Sequence, residues 1–154
     1  MDTEKDPFIM CKGCHRRSRK SQWESHYYTC PVCGKLKNIS APYRLSIVFD
    51  SGTMKIANAS LSSEDPLDFP GYKEKLKEAE EKTGLKETAV TAVGKISGVK
   101  TVCIVLDSRF FMGSMSRACG EKITKAIEYA DRHKLPLVIF SASGGARMQE
   151  GMFS

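Results

Sequence analysis

Two groups of residues in this 154-residue chain have the types and spacing to do chemistry. The first is Cys11-x2-Cys14 followed, fifteen residues on, by Cys30-x2-Cys33. Each CxxC pair sets two thiolates on a tight knuckle. Two knuckles complete a tetrahedral sulfur shell for zinc, with Zn–S distances of about 2.3 Å. The same residues can form two disulfides in an oxidising compartment. The acidic, polar start at residues 1–6 does not read as a secretory signal, so the expectation is a cytoplasmic protein with zinc on Cys11, Cys14, Cys30 and Cys33. His15 and His26 lie within this module and read as bystanders.

The second group spans residues 141–151 and includes Ser143, Gly144, Gly145, Ala146 and Arg147. It follows the apolar run Leu137–Phe140 and reads as a buried strand, a Gly-Gly turn and the first turns of a helix. Backbone N–H groups at such a turn have no intrahelical partner, and the helix dipole favours negative charge there. Glycine also lets a substrate approach the backbone closely. Gly144 and Gly145 are therefore the candidate catalytic residues, their N–H groups forming an oxyanion hole suited to the enolate of a thioester. A strand-to-helix turn without a ligand carries the same local pattern.

The chain offers no nucleophile elbow, no Walker sequence and no second metal cluster. Its histidines, His15, His26 and His133, stand in basic or polar surroundings, and Glu121 beside Lys122 reads as a surface pair. This content suits a reaction whose base comes from a cofactor, with the protein supplying placement and charge stabilisation.

The elements that must position these groups follow from pattern. Hydrophobic residues make up 41% and charged residues 27%, enough for a packed core. Two domains are expected: a zinc ribbon over residues 1–40 and an α/β domain over 41–154. No apolar run approaches the roughly 20 residues of a membrane span. Of the formal charge of +6, residues 1–44 carry nine Lys/Arg against four Asp/Glu, a net of +5. The cluster Arg16, Arg17, Arg19 and Lys20 is either a solvated face or a contact for phosphate, including nucleic acid.

Residues 38–43 read as a connector, 45–49 as an apolar segment of open type, and 54–59 as a strand. Tyr72–Thr83 has helical periodicity, an i,i+4 pair of Glu78 and Lys82, and Gly84 as its stop. Ala89–Ile96 and Val99–Leu106 read as a hairpin about Ser97-Gly98, with 101–106 covered on both faces. Residues 107–120 mix Gly, Ser, Met and Phe and read as a loop that lines a ligand site or simply packs. A helix follows over 117–134, with Cys119, Ile123, Ala126, Ile127 and Ala130 on its apolar face. Cys103 and Cys119 read as core residues. Strand, helix, strand predicts a parallel crossover, which puts the Gly-Gly turn at the carboxyl end of a parallel strand, where ligands bind.

Three motifs in order then carry a resemblance: the cysteine spacing, Met112-Gly113-Ser114-Met115 followed by Gly120-Glu121-Lys122-Ile123, and Ser143 through Gly151. The chain resembles the β-subunit family of bacterial acetyl-coenzyme A carboxylase carboxyltransferases over essentially its whole length. The resemblance implies a crotonase-like spiral of ββα turns behind a C4 zinc ribbon. It implies transfer of a carboxyl group from carboxybiotin to acetyl-CoA, giving malonyl-CoA for fatty-acid synthesis. Gly144 and Gly145 would hold the thioester oxyanion, with Gly113, Ser114, Met115, Ser143, Ala146 and Arg147 as substrate contacts. Biotin, carried on a separate protein, would take the α-proton. Implied partners are an α subunit in a heterotetramer of two α and two β chains, the biotin carboxyl carrier protein, and biotin carboxylase, which uses ATP.

Two departures carry expectations of their own. Ser116 stands where the family often has glycine and is expected to narrow the site. Family members run well beyond this length, so the chain is read as their N-terminal half. On that reading Met148, Met152 and Phe153 lack packing partners and the chain has little activity alone. A non-catalytic paralogue that only joins partner subunits, and a zinc-ribbon module for nucleic acid, are the competing readings.

Overall fold

The computed structural model describes residues 6–154; all but the last residue of the polar start, residues 1–5, lies outside them. The chain divides into two compact units, Met1–Ile39 and Ser40–Ser154.

In the first unit, β1 (Phe8–Met10) pairs antiparallel with β2 (Arg17–Arg19), and the short helix α1 (Lys20–Ser25) follows directly. Its buried apolar set is Trp23, Cys11 and Cys30. So small a core gives little stability by burial, and a metal held by clustered cysteines would add to it.

The second unit is built on a four-stranded sheet in the order β3 (Lys55–Ala57), β4 (Ala89–Ile96), β5 (Val99–Leu106), β6 (Leu137–Phe140). The first two pairings are antiparallel and β5–β6 is parallel. Ser97 and Gly98 both take positive φ, 50° and 82°, as the two-residue turn of a right-twisted hairpin requires. Alternation along β5 explains why its whole inner stretch is apolar. Cys103 and Val105 pack with Ala41 and Leu45 of α2 (Ala41–Val48) and with Phe49 just after it, while Val102 and Ile104 pack with Ala126 and Ala130 of α4 (Arg117–Arg132). Helix α3 (Tyr72–Thr83) packs Tyr72 and Leu76 against Leu85 and Phe110, and Gly84 ends it in the left-handed conformation.

Several local expectations are corrected. Residues 41–48, split between a connector and an undefined apolar run, form one helix: the Ser40 hydroxyl accepts the Tyr43 N–H at 3.2 Å, and Pro42 lies in the first turn. On α4 the buried stripe is Cys119, Lys122, Ala126 and Ala130, at steps of three and four, whereas Ile127 is 42% exposed on its flank. Glu121 pairs with Lys125 at 3.0 Å, not with Lys122, whose ammonium is buried and reaches the Ala89 carbonyl at 3.3 Å. Glu78 and Lys82 form no ion pair among the described residues. Strand β6 is less buried than expected, Ile139 being 46% exposed, because β5 is its sole strand partner among the described residues.

Candidate functional site

In the first unit the chain reversals after β1 and after α1 bring all four cysteines together. Their Sγ atoms lie within 4.8 Å of one another, with Cys11–Cys33 at 3.6 Å and Cys14–Cys30 at 3.8 Å. A tetrahedral zinc with bonds of about 2.3 Å has sulfur–sulfur edges of about 3.8 Å, whereas a disulfide needs about 2.05 Å. The spacing fits a metal and excludes bonded sulfurs. Backbone amides favour the thiolate at Cys11, where the N–H groups at Cys14 and Gly13 draw the thiol down to about 6, whereas burial and the neighbouring cysteines push Cys33 up to about 11. His15 and His26 stay exposed and outside the cluster, as read from sequence.

In the second unit two loops meet at the carboxyl ends of the parallel pair. One leaves β5 and carries Gly113, Ser114 and Met115; the other leaves β6 and carries Ser143, Gly144, Gly145 and Ala146. They are joined like a short parallel ladder: the Met115 N–H donates to the Gly145 carbonyl at 2.8 Å, and the Arg147 N–H donates to the Met115 carbonyl at 2.8 Å. Glycine makes the approach possible. A Cβ on Gly113 would lie 2.6 Å from the Ala142 carbonyl oxygen, and one on Gly144 3.0 Å from that of Met112.

Ser143, Gly144, Gly145 and Ala146 are exposed, Met115 is 40% exposed, and Gly113 and Ser114 are buried. The Gly144 N–H has no acceptor among the described residues, and the residue is exposed. The Gly145 N–H is closed by the Ser143 hydroxyl at 3.1 Å, a local side-chain turn that serine readily makes. The segment after the turn also differs from expectation: Met148–Phe153 is a 3₁₀ stretch and no α-helix starts at the glycines. Within it Met148 and Met152 are 83% and 99% exposed.

Arg147, expected as a substrate contact, is instead fully buried. Its Nη2 reaches Glu87 Oε1 at 2.9 Å, the Ser114 carbonyl at 2.7 Å and Thr88 Oγ1 at 3.1 Å; its Nε reaches Ser114 Oγ at 3.0 Å. Nη1 donates to Ser63 Oγ at 2.7 Å, and the guanidinium lies 4.7 Å from the Phe111 ring centre. Burial alone would raise the Glu87 carboxyl, but Arg147 and hydrogen bonds from Ser116, Ser63 and the Thr88 N–H outweigh it and hold the carboxyl below its ordinary value. Ser116 does not narrow the site: it is buried, donating to Glu87 at 2.6 Å and accepting the Cys119 N–H at 2.9 Å as the cap of α4. Nearby, Glu150 accepts from the Tyr72 hydroxyl at 2.6 Å and from the Arg117 N–H at 2.8 Å. Desolvation, then Glu150, pushes the Tyr72 phenol up to about 12.

Sequence reasoning missed Glu87, Glu150 and Tyr72. The one signal for Glu87 was an acidic residue at the head of a strand otherwise bound for the core. Chemically, the loops can offer a fixed N–H donor to a carbonyl oxygen at an exposed, glycine-walled position, with no histidine of the unit nearby; His133 caps the far end of α4.

The profile of the carboxyl transferase domain matches residues 53–154. The chain is 45% identical over 147 residues to the acetyl-coenzyme A carboxylase carboxyl transferase subunit beta of Clostridium novyi, covering 96% of this chain and 51% of that one. It is 48% identical over 144 residues to the same subunit of Carboxydothermus hydrogenoformans, covering 94% and 51%. The chain thus spans about half the length of the curated relatives it matches. Among solved structures it superposes on a transcarboxylase 12S hexamer, crystallised with methylmalonyl-coenzyme A, with a TM-score of 0.62 at 23% identity over 88% of this chain and 23% of that one. The fold is therefore the crotonase-like carboxyltransferase fold expected from the sequence.

Proposed function

The chain belongs to the carboxyl transferase domain family, and we propose that it supplies the acyl-CoA side of a carboxyl transfer, as part of the β subunit of an acetyl-CoA carboxylase. The observation that carries this reading is the Gly144 N–H, without an acceptor among the described residues where two glycine loops meet at the carboxyl end of a parallel strand pair. A thioester oxygen placed there receives a hydrogen bond that strengthens as enolate charge develops. The Gly145 N–H becomes a second donor once the Ser143 hydroxyl rotates away. Ser143, Ala146 and Met115 line the approach, while Gly113 and Ser114 support it from beneath.

Carboxybiotin on a carrier protein is the donor substrate in this reading, acetyl-CoA the acceptor and malonyl-CoA the product, feeding fatty-acid synthesis in the cytoplasm. The partners are an α subunit, in a heterotetramer of two α and two β chains, the biotin carboxyl carrier protein and an ATP-using biotin carboxylase. Zinc on the four cysteines is structural: a closed shell of four thiolates leaves no position for substrate. No helix among the described residues is long and apolar enough to cross a membrane.

The test is reconstitution. The chain is combined with those three partners, bicarbonate, ATP and acetyl-CoA, and malonyl-CoA is measured. Formation that falls at least about a hundredfold in Gly144→Pro, which deletes the N–H, supports the reading. Formation that Gly144→Pro leaves unchanged refutes it. A second reading rests on the ribbon: Arg16, Arg17, Arg19 and Lys20 are all exposed on the first unit. Nucleic-acid binding there would weaken steeply with salt and disappear when the four are neutralised.

A further inference from the structure

The loops that would hold the thioester are not held by backbone alone. Two ladder hydrogen bonds join them, those from Met115 to Gly145 and from Arg147 to Met115. The Ser154 hydroxyl adds a bridge at the rim, accepting from the Arg147 N–H at 2.6 Å and donating to the Met115 carbonyl at 3.1 Å, and one buried side chain, that of Arg147, ties the loops from beneath. Arg147 lies two residues after Gly145, so its backbone belongs to the second loop. Its guanidinium turns back beneath the first loop and grips Ser114 twice, at the carbonyl (2.7 Å) and at the hydroxyl (3.0 Å). The remaining nitrogen valences go to Glu87, Thr88, Ser63 and, at 3.3 Å, the Tyr72 hydroxyl. Glu87 is itself pinned by Ser116, the cap of α4. Three residues on, Glu150 ties the same segment to the first residue of α4 and to Tyr72.

We propose that Arg147 is a positioning residue for the acyl-CoA site: held by Glu87, it clamps Ser114 and thereby sets the spacing between the Ser114 loop and the Gly144-Gly145 loop. The proposal rests on the thioester reading above for its functional half and on geometry alone for its structural half. Arginine is required because a planar fork satisfies Glu87 and Ser114 at once. Lysine keeps the charge opposite Glu87 but has one nitrogen and cannot span both. The clamp touches no substrate, since Arg147 is wholly buried.

The test uses Arg147→Lys in the whole chain, with two readouts. The first is hydrogen exchange at the Met115 amide, referenced to the amides of the β4–β5 ladder. The second is the ratio of affinities for acetyl-CoA and for CoA, which differ in the carbonyl the loops are meant to hold. Loss of a charged hydrogen bond is worth a factor of about ten, so Met115 exchange is expected to rise about tenfold or more. The ladder amides stay unchanged, and the preference for acetyl-CoA falls toward one while CoA affinity is kept. Exchange that rises equally at Met115 and in the ladder overturns the proposal in favour of a general stabilising role, and so does no change in either readout. If Met115 exchange rises but the unaltered chain already binds CoA and acetyl-CoA equally, the clamp stands and the thioester reading fails. Should Arg147→Lys not fold, the charge-neutral pair Glu87→Gln with Arg147→Met carries the same two readouts.

Discussion

Gly113→Ala tests the interlock of the two loops through a single methyl group. Gly113 has φ of 83°, where a Cβ costs an L-residue about 1–2 kcal/mol. The same Cβ would sit 2.6 Å from the Ala142 carbonyl oxygen and 3.0 Å from its carbon. Those are backbone atoms of the facing loop, so no side chain can swing aside. Overpacking of this kind adds about 1–3 kcal/mol, for a total of about 2–5 kcal/mol. Gly145→Ala is the internal control. Its φ is also positive, at 82°, but nothing lies within 4 Å of its Cβ, so the strain of about 1–2 kcal/mol acts alone. Denaturant unfolding of the two variants is expected to separate them by at least about 1 kcal/mol, with Gly113→Ala the less stable. Displacing the loop by several tenths of an ångström should also weaken acetyl-CoA binding, since misplacement by about 1 Å can cost a hundredfold in a positioned reaction. Equal stabilities for the two variants would refute the interlock.

Ser143→Ala should free the Gly145 N–H and leave acetyl-CoA binding unchanged or tighter; calorimetric titration showing clear weakening would mean that the hydroxyl itself contacts the ligand. Zinc removal by a chelator is expected to unfold the first unit and expose Cys11, Cys14, Cys30 and Cys33 to alkylation. Cys103 and Cys119, buried and with thiols pushed up, stay unreactive until the second unit unfolds, which peptide mapping by mass spectrometry would show. Acid should destabilise the second unit through Glu87. Its carboxyl is held below the ordinary value of 4.5 when folded, so the contribution of its ion pair is complete above that value and is lost as the pH falls through the lower folded one. Stability measured between about pH 5 and 3 is expected to drop less steeply in Glu87→Gln than in the unaltered chain.

What the sequence made legible is what local pattern controls. The hairpin about Ser97-Gly98, helix α3 with its Gly84 stop, and the crossover from β5 through α4 to β6 all follow from periodicity and turn chemistry. The cysteine cluster follows from spacing. Helix α2 was obscured because its start signals, Ser40 and Pro42, also fit a connector, and its apolar run is short. The Arg147–Glu87 pair was invisible because 60 residues separate the partners and either charge alone reads as surface. Arg147 entered as a substrate contact through the family resemblance, and a motif match carries no information on burial, which the structure shows to be complete. Ser116 was misjudged in the same way, as an intrusion into the site, whereas it faces inward as a helix cap.

The most direct measurement is the infrared carbonyl stretch of acetyl-CoA, carbon-13-labelled at the thioester, bound to the zinc-loaded chain. A donor at Gly144 polarises the carbonyl, so the band is expected to move to lower frequency than in water, and to return toward the water value in Gly144→Pro. A bound thioester whose band matches that in water, or whose shift survives Gly144→Pro, would contradict the account.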